Sequence, residues 1–469
     1  MTSIDFYVPK KHENNNIYYL VFSITLLIYF LTYNFEIPIF ILIVFYSYQV
    51  INSYGAHLNF INLISFHCVI IYLIGPYLGY KMYSHFISPN RMLLSFMPVS
   101  AEKYFSFIFP GVISYFCGLL TFKTISIEKR IKNSFDYIRV GLNGKKYYGY
   151  FLVLFGYLSF YLVKYAPLGL TYVFNIAFLF LFTGILFIYF SKNRNSKDYL
   201  IIGFVSIWIL LTAVRSTMFT IVVYMSVAIS GILFYTMNIS LLKKLIFFLV
   251  SFILLVAIQY TKTEIRIFKD KSKQEVSLDD FSKTILKNTT SVDNFTSGAK
   301  LLNIYERINQ GALTAHVLEN IPKRRAHDNG KMLFKSILAS FIPRIFWKSK
   351  PMAGGKGNMK YYANIKLGTA SMNVGPIGEA YGAFGKFGSW IYMFFFGAFI
   401  SYTFNFFLKK CLKHHLLLFW MPVIFYQTIY SAETDSMQVF NSIIKTGFLL
   451  YLLFKIFPYL FNLSKSKQI

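Results

Sequence analysis

About twelve segments of this sequence are apolar and long enough to cross a lipid bilayer, and this pattern limits the fold more than any other feature. A transmembrane helix needs roughly 17–25 predominantly apolar residues. Because lipid offers the backbone no hydrogen-bond partners, a segment that crosses it forms a helix. The sequence therefore predicts an all-α polytopic membrane protein with about 12 transmembrane helices. The apolar segments centre on residues 17–33, 37–51, 60–77, 104–122, 147–163, 168–190, 199–213, 218–235, 245–260, 390–407, 416–429 and 443–460.

The composition agrees with a membrane protein. Of all residues, 56% are hydrophobic and only 14% are charged, whereas about a quarter are charged in soluble domains. The formal net charge of +28 would indicate a nucleic-acid partner in a soluble chain. Here much of that charge lies in short connectors between apolar segments, where it sets topology, so no nucleic acid is expected. The cysteines and histidines lack metal-ligand spacing, so neither a metal nor another cofactor is expected.

The basic connectors predict the orientation, because Lys and Arg accumulate on the cytoplasmic side. Basic residues precede the first apolar segment and follow the fourth, sixth, eighth, tenth and twelfth, so both termini are predicted to be cytoplasmic. The connector with Glu433 and Asp435 then falls outside. One connector disagrees, because it places Lys81, Arg91 and Lys103 outside. No cleavable signal peptide is expected, since the first apolar segment lacks a small-residue cleavage site.

The chain divides into three predicted regions. They are an N-terminal bundle of about nine helices over residues 1–260, an extracytoplasmic loop over 261–387, and about three C-terminal helices over 388–469. The loop contains an apolar stripe with a spacing of three or four residues, which predicts an amphipathic helix on the membrane surface. The stripe and its cations are Leu333, Phe334, Ile337, Leu338, Phe341, Ile342 and Ile345 with Lys331, Lys335 and Arg344.

Glu379 is the only carboxylate between Asp328 and Glu433, and it lies in the glycine-rich segment 375–388 (GPIGEAYGAFGKFG). An acid in such a loop after a basic stretch indicates a site that holds an anion and needs one proton acceptor. Alternatively, the glycines pack helices closely, and Glu379 is a structural acid paired with a cation. The preceding cations are Arg344, Lys348, Lys350, Lys356, Lys360 and Lys366.

Arg215 lies at the predicted outer bend between the seventh and eighth apolar segments. Insertion of an arginine at membrane depth costs about 2.5–3.5 kcal/mol, so such a residue usually has a functional role. Its guanidinium suits bidentate binding of a phosphate; the alternative is a side chain that snorkels to the interface. Arg344, Lys348 and Lys350 have a similar ambiguity, because an interfacial mixture of cations and aromatics binds anionic lipids as well as a lipid diphosphate.

Several short motifs resemble those of the Wzy-type O-antigen polymerases, which polymerise oligosaccharide repeat units on the outer face of the bacterial cytoplasmic membrane. The resemblance covers the outer loop and its borders, about a third of the chain. It rests on residues 306–311 (ERINQG), 342–351 (IPRIFWKSKP), 353–355 (AGG), 371–375 (SMNVG) and 378–385 (GEAYGAFG), with the arginine bend 214–216 (VRS).

The resemblance implies a lipid-linked glycosyltransferase of GT-C-like architecture in the bacterial inner membrane. Its donor would be a growing glycan on undecaprenyl diphosphate, transferred en bloc to a newly flipped repeat on the same carrier. Neither a nucleotide sugar nor a metal is expected. A chain-length regulator and a flippase are the implied protein partners.

The same resemblance implies roles for nine residues. Arg215 and Arg344 would bind the diphosphate, and Glu379 would deprotonate or orient the acceptor hydroxyl. Fixed cations that stabilise the leaving group are expected to contribute more than the acid. Supporting contacts would come from Arg307, Lys348 and Lys350 to the diphosphate, and from Asn309, Gln310 and Tyr381 to sugars.

Two other functions remain open. An O-antigen ligase, which transfers glycan to lipid A-core, shares the carrier and the outer-face arginines. A flippase or other transporter makes no bond and often places charges near the bilayer midplane. The apolar segments here are poor in charge, and cations outside the cytoplasmic connectors cluster at the outer side. This distribution favours chemistry at the outer surface.

Overall fold

The structure is a computed structural model that describes residues 15–55, 60–86, 95–123, 138, 142, 145–167, 170–216, 219–235, 237, 239–272, 278–290, 298–342, 346–351, 353–368 and 372–462. Within these ranges the chain is helical and contains no strand. The α-helices are α1 (Asn16–Thr32), α2 (Glu36–Ser53), α3 (Phe60–Val69), α4 (Gly75–Phe86), α5 (Ala101–Leu120), α6 (Lys146–Leu162), α7 (Thr171–Phe178), α8 (Phe180–Phe190), α9 (Ser196–Ser216), α10 (Thr220–Tyr235), α11 (Leu241–Ser272), α12 (Leu278–Thr290), α13 (Gly298–Ile308), α14 (Gln310–Asn320), α15 (Lys331–Phe341), α16 (Lys356–Tyr362), α17 (Gly375–Lys413), α18 (Met421–Ile429) and α19 (Ser436–Ile456).

A helix lies in each of the twelve predicted apolar segments. Among the described residues, eight helical stretches are long and apolar enough to cross a membrane, and three shorter apolar helices accompany them. The prediction of an α-helical polytopic membrane protein is confirmed at this level. The eight stretches are Glu36–Ser53, Phe60–Lys81, Ala101–Leu120, Thr171–Phe190, Ser196–Ser216, Leu241–Lys262, Gly375–Lys413 and Ser436–Ile456.

Helices α5 and α17 pack closely against each other in the core, and glycines make their approach possible. A Cβ on Gly118 would overlap the carbonyl oxygen of Phe394, and one on Gly397 would overlap that of Tyr115. The two backbones are therefore in direct contact, as small residues allow between membrane helices. This contact fixes the position of α17, the helix that carries Glu379.

In the part that the structure describes, the segment between α11 and α17 contains five short helices, α12 to α16, which pack against the apolar bundle. Helix α14 lies on α17, and α15 lies on the first turns of α19, where the Ser340 hydroxyl donates to the Met437 carbonyl at 3.2 Å. The stripe predicted to form an amphipathic helix is helical in α15. Its Leu333 is buried, while Phe334 and Leu338 each remain 57% exposed.

Helix α17 runs across the predicted domain boundary at residue 387. Its helical geometry is interrupted at Gly385, whose backbone has φ 71° and ψ −164°, a conformation that a residue with a Cβ rarely adopts. The ten residues before this kink, 375–384, lie among the short helices α14 to α16. The part after it packs against α5.

Candidate functional site

The loop between α18 and α19, residues 430–435, carries two carboxylates and is called the acidic loop below. Side chains from distant helices hold its backbone. The Tyr72 hydroxyl donates to the carbonyl of Ala432 at 2.6 Å, and the Gln310 amide donates to the carbonyl of Glu433 at 3.0 Å. The loop is therefore fixed between the apolar bundle and the short helix α14.

Glu379 is buried beside this loop, with only 1% of its surface exposed. Its Oε2 accepts a hydrogen bond from the backbone N–H of Ser436 at 3.0 Å, and its Oε1 accepts one from the side-chain amide of Asn358. Within the described part of the chain no lysine or arginine forms an ion pair with it. Both oxygens are thus used to connect the start of α19 with α16.

Asp435 immediately precedes Ser436 and caps the first turn of α19. Its Oδ1 accepts from the N–H of Gln438 at 2.6 Å, and its Oδ2 accepts from the N–H groups of Gly354 and Gly355 at 3.0 and 2.9 Å. Burial raises the pKa of Asp435, while the bonds from these N–H groups act to lower it. A second buried carboxylate, Glu379, lies close enough to interact with it electrostatically. The pair fixes three chain segments at one point.

Glu433 is the more accessible carboxylate of the acidic loop. It forms an ion pair with Arg307, and its Oε2 lies 3.7 Å from Nε2 of His67. The Glu433 side chain is 20% exposed and that of Arg307 is 45% exposed. Burial acts to raise the pKa of Glu433, but the charge of Arg307 holds it below its usual value. The negative charge of Glu433 in turn raises the pKa of Arg307.

The three residues predicted to contact sugars have structural partners in the fold. Asn309 is 3% exposed, and its amide donates to the carbonyl of Ser95 at 3.0 Å while its oxygen caps α14. Gln310 links the acidic loop to the start of α17. The Tyr381 hydroxyl donates to the carbonyl of Ile321 at 3.4 Å.

The predicted cations lie in different surroundings. Arg215 is exposed in the last turn of α9, and Lys348 is also exposed. Lys350 is 8% exposed, and its ammonium donates to the carbonyl of Ile342 at 2.9 Å. Arg344 lies outside the described residues.

Three of the nine predicted residues therefore meet at the acidic loop, namely Arg307, Gln310 and Glu379. Arg307 binds a carboxylate of the loop, Gln310 holds its backbone, and Glu379 binds the residue that follows it. The alternative interpretation, in which Glu379 is a structural acid paired with a cation, does not match its contacts in the described residues, which are an amide side chain and a backbone N–H.

The sequence reasoning did not assign a role to Glu433, Asp435 or Asn358. One signal was present, because after Asp328 the chain contains only the carboxylates Glu379, Glu433 and Asp435. In a stretch so poor in acids, each buried or membrane-adjacent carboxylate is a candidate for a specific role. Asn358 had no such signal.

The acidic loop combines a partly exposed ion pair, Arg307 with Glu433, and two buried carboxylates, Glu379 and Asp435, whose oxygens are hydrogen-bonded within the fold. A guanidinium that is partly exposed can bind a phosphate bidentately, and a neighbouring carboxylate can accept a proton. Among the residues that the structure describes, no group of three or more His, Cys, Asp or Glu side chains is arranged to hold a metal ion.

Comparison with known proteins gives one match. A family model described as a domain of unknown function (DUF8712) matches residues 7–406, which is more than half of the chain. No curated protein and no solved structure matches the sequence.

Proposed function

We propose that this protein, which belongs to the DUF8712 family, polymerises undecaprenyl-diphosphate-linked oligosaccharide repeats on the outer face of the bacterial inner membrane. In this proposal about twelve helices cross the membrane in a GT-C-like arrangement, and the acidic loop lies at the outer ends of α18 and α19. The observation that carries the proposal is the partly exposed pair of Arg307 and Glu433, held beside the buried pair of Glu379 and Asp435.

The proposed reaction needs a cation for the leaving diphosphate and an acceptor for one proton. The acceptor hydroxyl oxygen attacks the anomeric carbon of the donor glycan, and the bond from that carbon to the diphosphate oxygen breaks. The electron pair leaves with the lipid diphosphate, whose negative charge Arg307 stabilises. The hydroxyl proton passes to a carboxylate of the site.

Glu433 suits the role of proton acceptor better than Glu379, because it is more accessible and because its oxygens accept from Arg307, a group that a diphosphate can take over. The oxygens of Glu379 accept from a backbone N–H and an amide side chain, which stay in place. In the free protein its ion pair with Arg307 keeps its pKa low, which makes it a weak base. When a diphosphate takes over Arg307, Glu433 loses its nearest positive charge, and its pKa rises toward the range of an effective base. Substrate binding would thereby activate the acceptor of the proton.

Glu379 then acts as a positioning residue. It holds the N–H of Ser436 and the amide of Asn358, so it fixes the acidic loop and the orientation of Glu433. The roles predicted for Arg215 and Arg344 remain part of the proposal as further contacts to the diphosphate, since a charged lipid head group needs more than one cation.

The test uses purified protein in nanodiscs with lipid-linked repeat units, and follows the length of the lipid-linked products. Longer products are expected from the wild type. Arg307→Ala and Glu433→Gln should each lower their rate by about 10²-fold or more, the usual effect of losing an oxyanion-stabilising or acid–base group. The matched control is Glu319→Gln, which breaks an exposed ion pair to Lys323 on the same outer segment.

The same measurement separates the other functions. Translocation of the glycolipid without longer products would identify a transporter. In a deletion strain, lipopolysaccharide capped with a single repeat supports the polymerase, whereas bare core would identify a ligase. Wild-type product length in both Arg307→Ala and Glu433→Gln would remove this site from the mechanism.

A further inference from the structure

Helix α19 carries a polar stripe inside an otherwise apolar membrane-spanning stretch. Gln438, Ser442 and Lys445 follow one another at spacings of four and three residues, which places them on one face of the helix. A lysine within an apolar helix is costly, and such residues usually mark a functional site. The face on which Lys445 lies is therefore a candidate ligand-binding surface.

This face meets a group of tyrosines from α7 and the end of α18. The Lys445 ammonium lies 4.5 Å from the ring centre of Tyr172. The hydroxyls of Tyr172 and Tyr430 both donate to the side-chain oxygen of Gln427, at 3.5 and 3.2 Å, and the Tyr430 hydroxyl also interacts with Ser442. These five side chains form what is called the tyrosine cluster below.

The tyrosine cluster is partly exposed and adjoins the acidic loop. Tyr172, Tyr430 and Lys445 are only half-buried, and Tyr426 adds another half-buried ring, centred 5.6 Å from that of Tyr430. Burial raises the pKa of Tyr430 to about 12, so its hydroxyl remains a hydrogen-bond donor at neutral pH. Tyr430 is also the first residue of the acidic loop, so the two regions are continuous.

The depth of Lys445 follows from its partner. Tyr172 is the second residue of the apolar stretch Thr171–Phe190, whose first end is predicted to be the outer one. If that orientation holds, the Lys445 ammonium is level with the outer end of that stretch, near the depth at which lipid phosphates lie and tyrosines are enriched. It is ten residues beyond Asp435, or about 15 Å along the helix axis at 1.5 Å per residue.

We propose that Lys445 binds the phosphate of the acceptor glycolipid and that Tyr172, Tyr426 and Tyr430 contact its first sugars. A lysine provides a point charge for a phosphate, and tyrosine rings offer apolar faces with a polar edge. The inference rests on the proposed function and adds the position of the second substrate. With its phosphate at Lys445, the acceptor reaches the acidic loop only if its repeat spans the intervening distance, so this spacing selects the length of the repeat.

The binding test uses the full chain in detergent, with farnesyl diphosphate as the probe and farnesol and inorganic pyrophosphate as competitors. The protein carries Arg307→Ala throughout, so that the diphosphate site proposed at the acidic loop does not contribute. In this background Lys445→Gln should weaken binding about tenfold or more, as expected for loss of a charge-assisted contact. Lys445→Arg should retain most of the affinity.

The matched control is Lys455→Gln, which removes another lysine of α19, one that lies 5.8 Å from the ring of Tyr451 and is exposed. It should leave binding unchanged. If Lys445→Gln does not fold, Lys445→Met replaces it, because Met suits an apolar helix. Competition by pyrophosphate shows that the phosphate itself is recognised, whereas a probe that neither pyrophosphate nor farnesol displaces is recognised through its phosphate and its lipid chain together.

Two results would overturn the inference: equal affinity in Lys445→Gln and its parent, or displacement of the probe by farnesol alone. Neither depends on turnover. A protein that binds the probe through Lys445 but never lengthens a glycan would therefore retain this site and refute only the proposed polymerase.

Discussion

Replacement of Glu379 distinguishes a carboxylate that holds the fold from one that performs chemistry. In Glu379→Ala the N–H of Ser436 and the amide of Asn358 lose their acceptor. An unsatisfied buried donor costs about 1–3 kcal/mol. Asn358 is only half-buried, so water can replace part of its loss. We expect Glu379→Ala to destabilise the protein by about 2–4 kcal/mol in total.

Glu379→Gln is the more informative change, since it preserves the size of the side chain. A glutamine has one acceptor oxygen, so it can satisfy either Ser436 or Asn358 and turns its own N–H₂ toward the other. The expected loss of stability is about 1–3 kcal/mol. For a positioning residue, product formation should fall only in part, because Glu433 remains able to accept the proton.

The assay combines thermal unfolding in detergent, followed by tryptophan fluorescence, with product length from lipid-linked repeats. One kcal/mol corresponds to roughly 2–4 °C in domains of 150–250 residues and to less in a chain of this size. The positioning role predicts a lower Tm together with partial activity. A Glu379→Gln protein with wild-type Tm and a loss of activity of about 10²-fold or more would refute this reasoning and establish Glu379 as the base.

Three further predictions concern the contact between α5 and α17, the ion pair of Arg307 and Glu433, and the buried Asp435. Gly118→Ala should lower the Tm by several degrees, because its Cβ overlaps the backbone of α17. Gly447→Ala should not lower the Tm, because its Cβ meets open space. Equal Tm values for the two variants would contradict the close contact between α5 and α17. In a double-mutant cycle, Arg307→Ala and Glu433→Gln should show a coupling of about 1 kcal/mol, since both groups are partly exposed, and strict additivity would argue against the pair. Burial raises the pKa of Asp435. Its stabilising contribution is therefore complete below about pH 4, the value in the unfolded chain, and is lost as the pH rises through the folded-state pKa. The Tm of the wild type should thus fall with rising pH relative to that of Asp435→Asn, and parallel Tm profiles would refute this.

The helices could be predicted from the sequence because their signal is local. The apolar segments at residues 104–122 and 199–213 correspond to α5 and α9 with small shifts at the ends. Long apolar runs have few other ways to satisfy their backbone in lipid. The kink at Gly385 is less visible in the sequence, because four glycines recur between residues 378 and 388 and only Gly385 among these four has a positive φ.

The site depends on pairings that no local pattern encodes. Arg307 and Glu433 are 126 residues apart, and Glu379 and Ser436 are 57 apart. The sequence indicated that Glu379 is unusual but could not show that a backbone N–H, and not a cation, is its partner. The sequence gives no local signal for Lys445 for a different reason. The mean hydropathy of an apolar segment hides a single polar face.

The interruption at Gly385 has a mechanical consequence for the bilayer. Bilayers differ in thickness, and a membrane helix adjusts to the difference chiefly by changing its tilt. A continuous helix would carry such a change directly to Glu379, which lies six residues before the break. Because the hydrogen-bonded rod is interrupted at Gly385, a change of tilt in the lipid-embedded half is absorbed there. The acidic loop and its partners can therefore keep their geometry in membranes of different lipid composition.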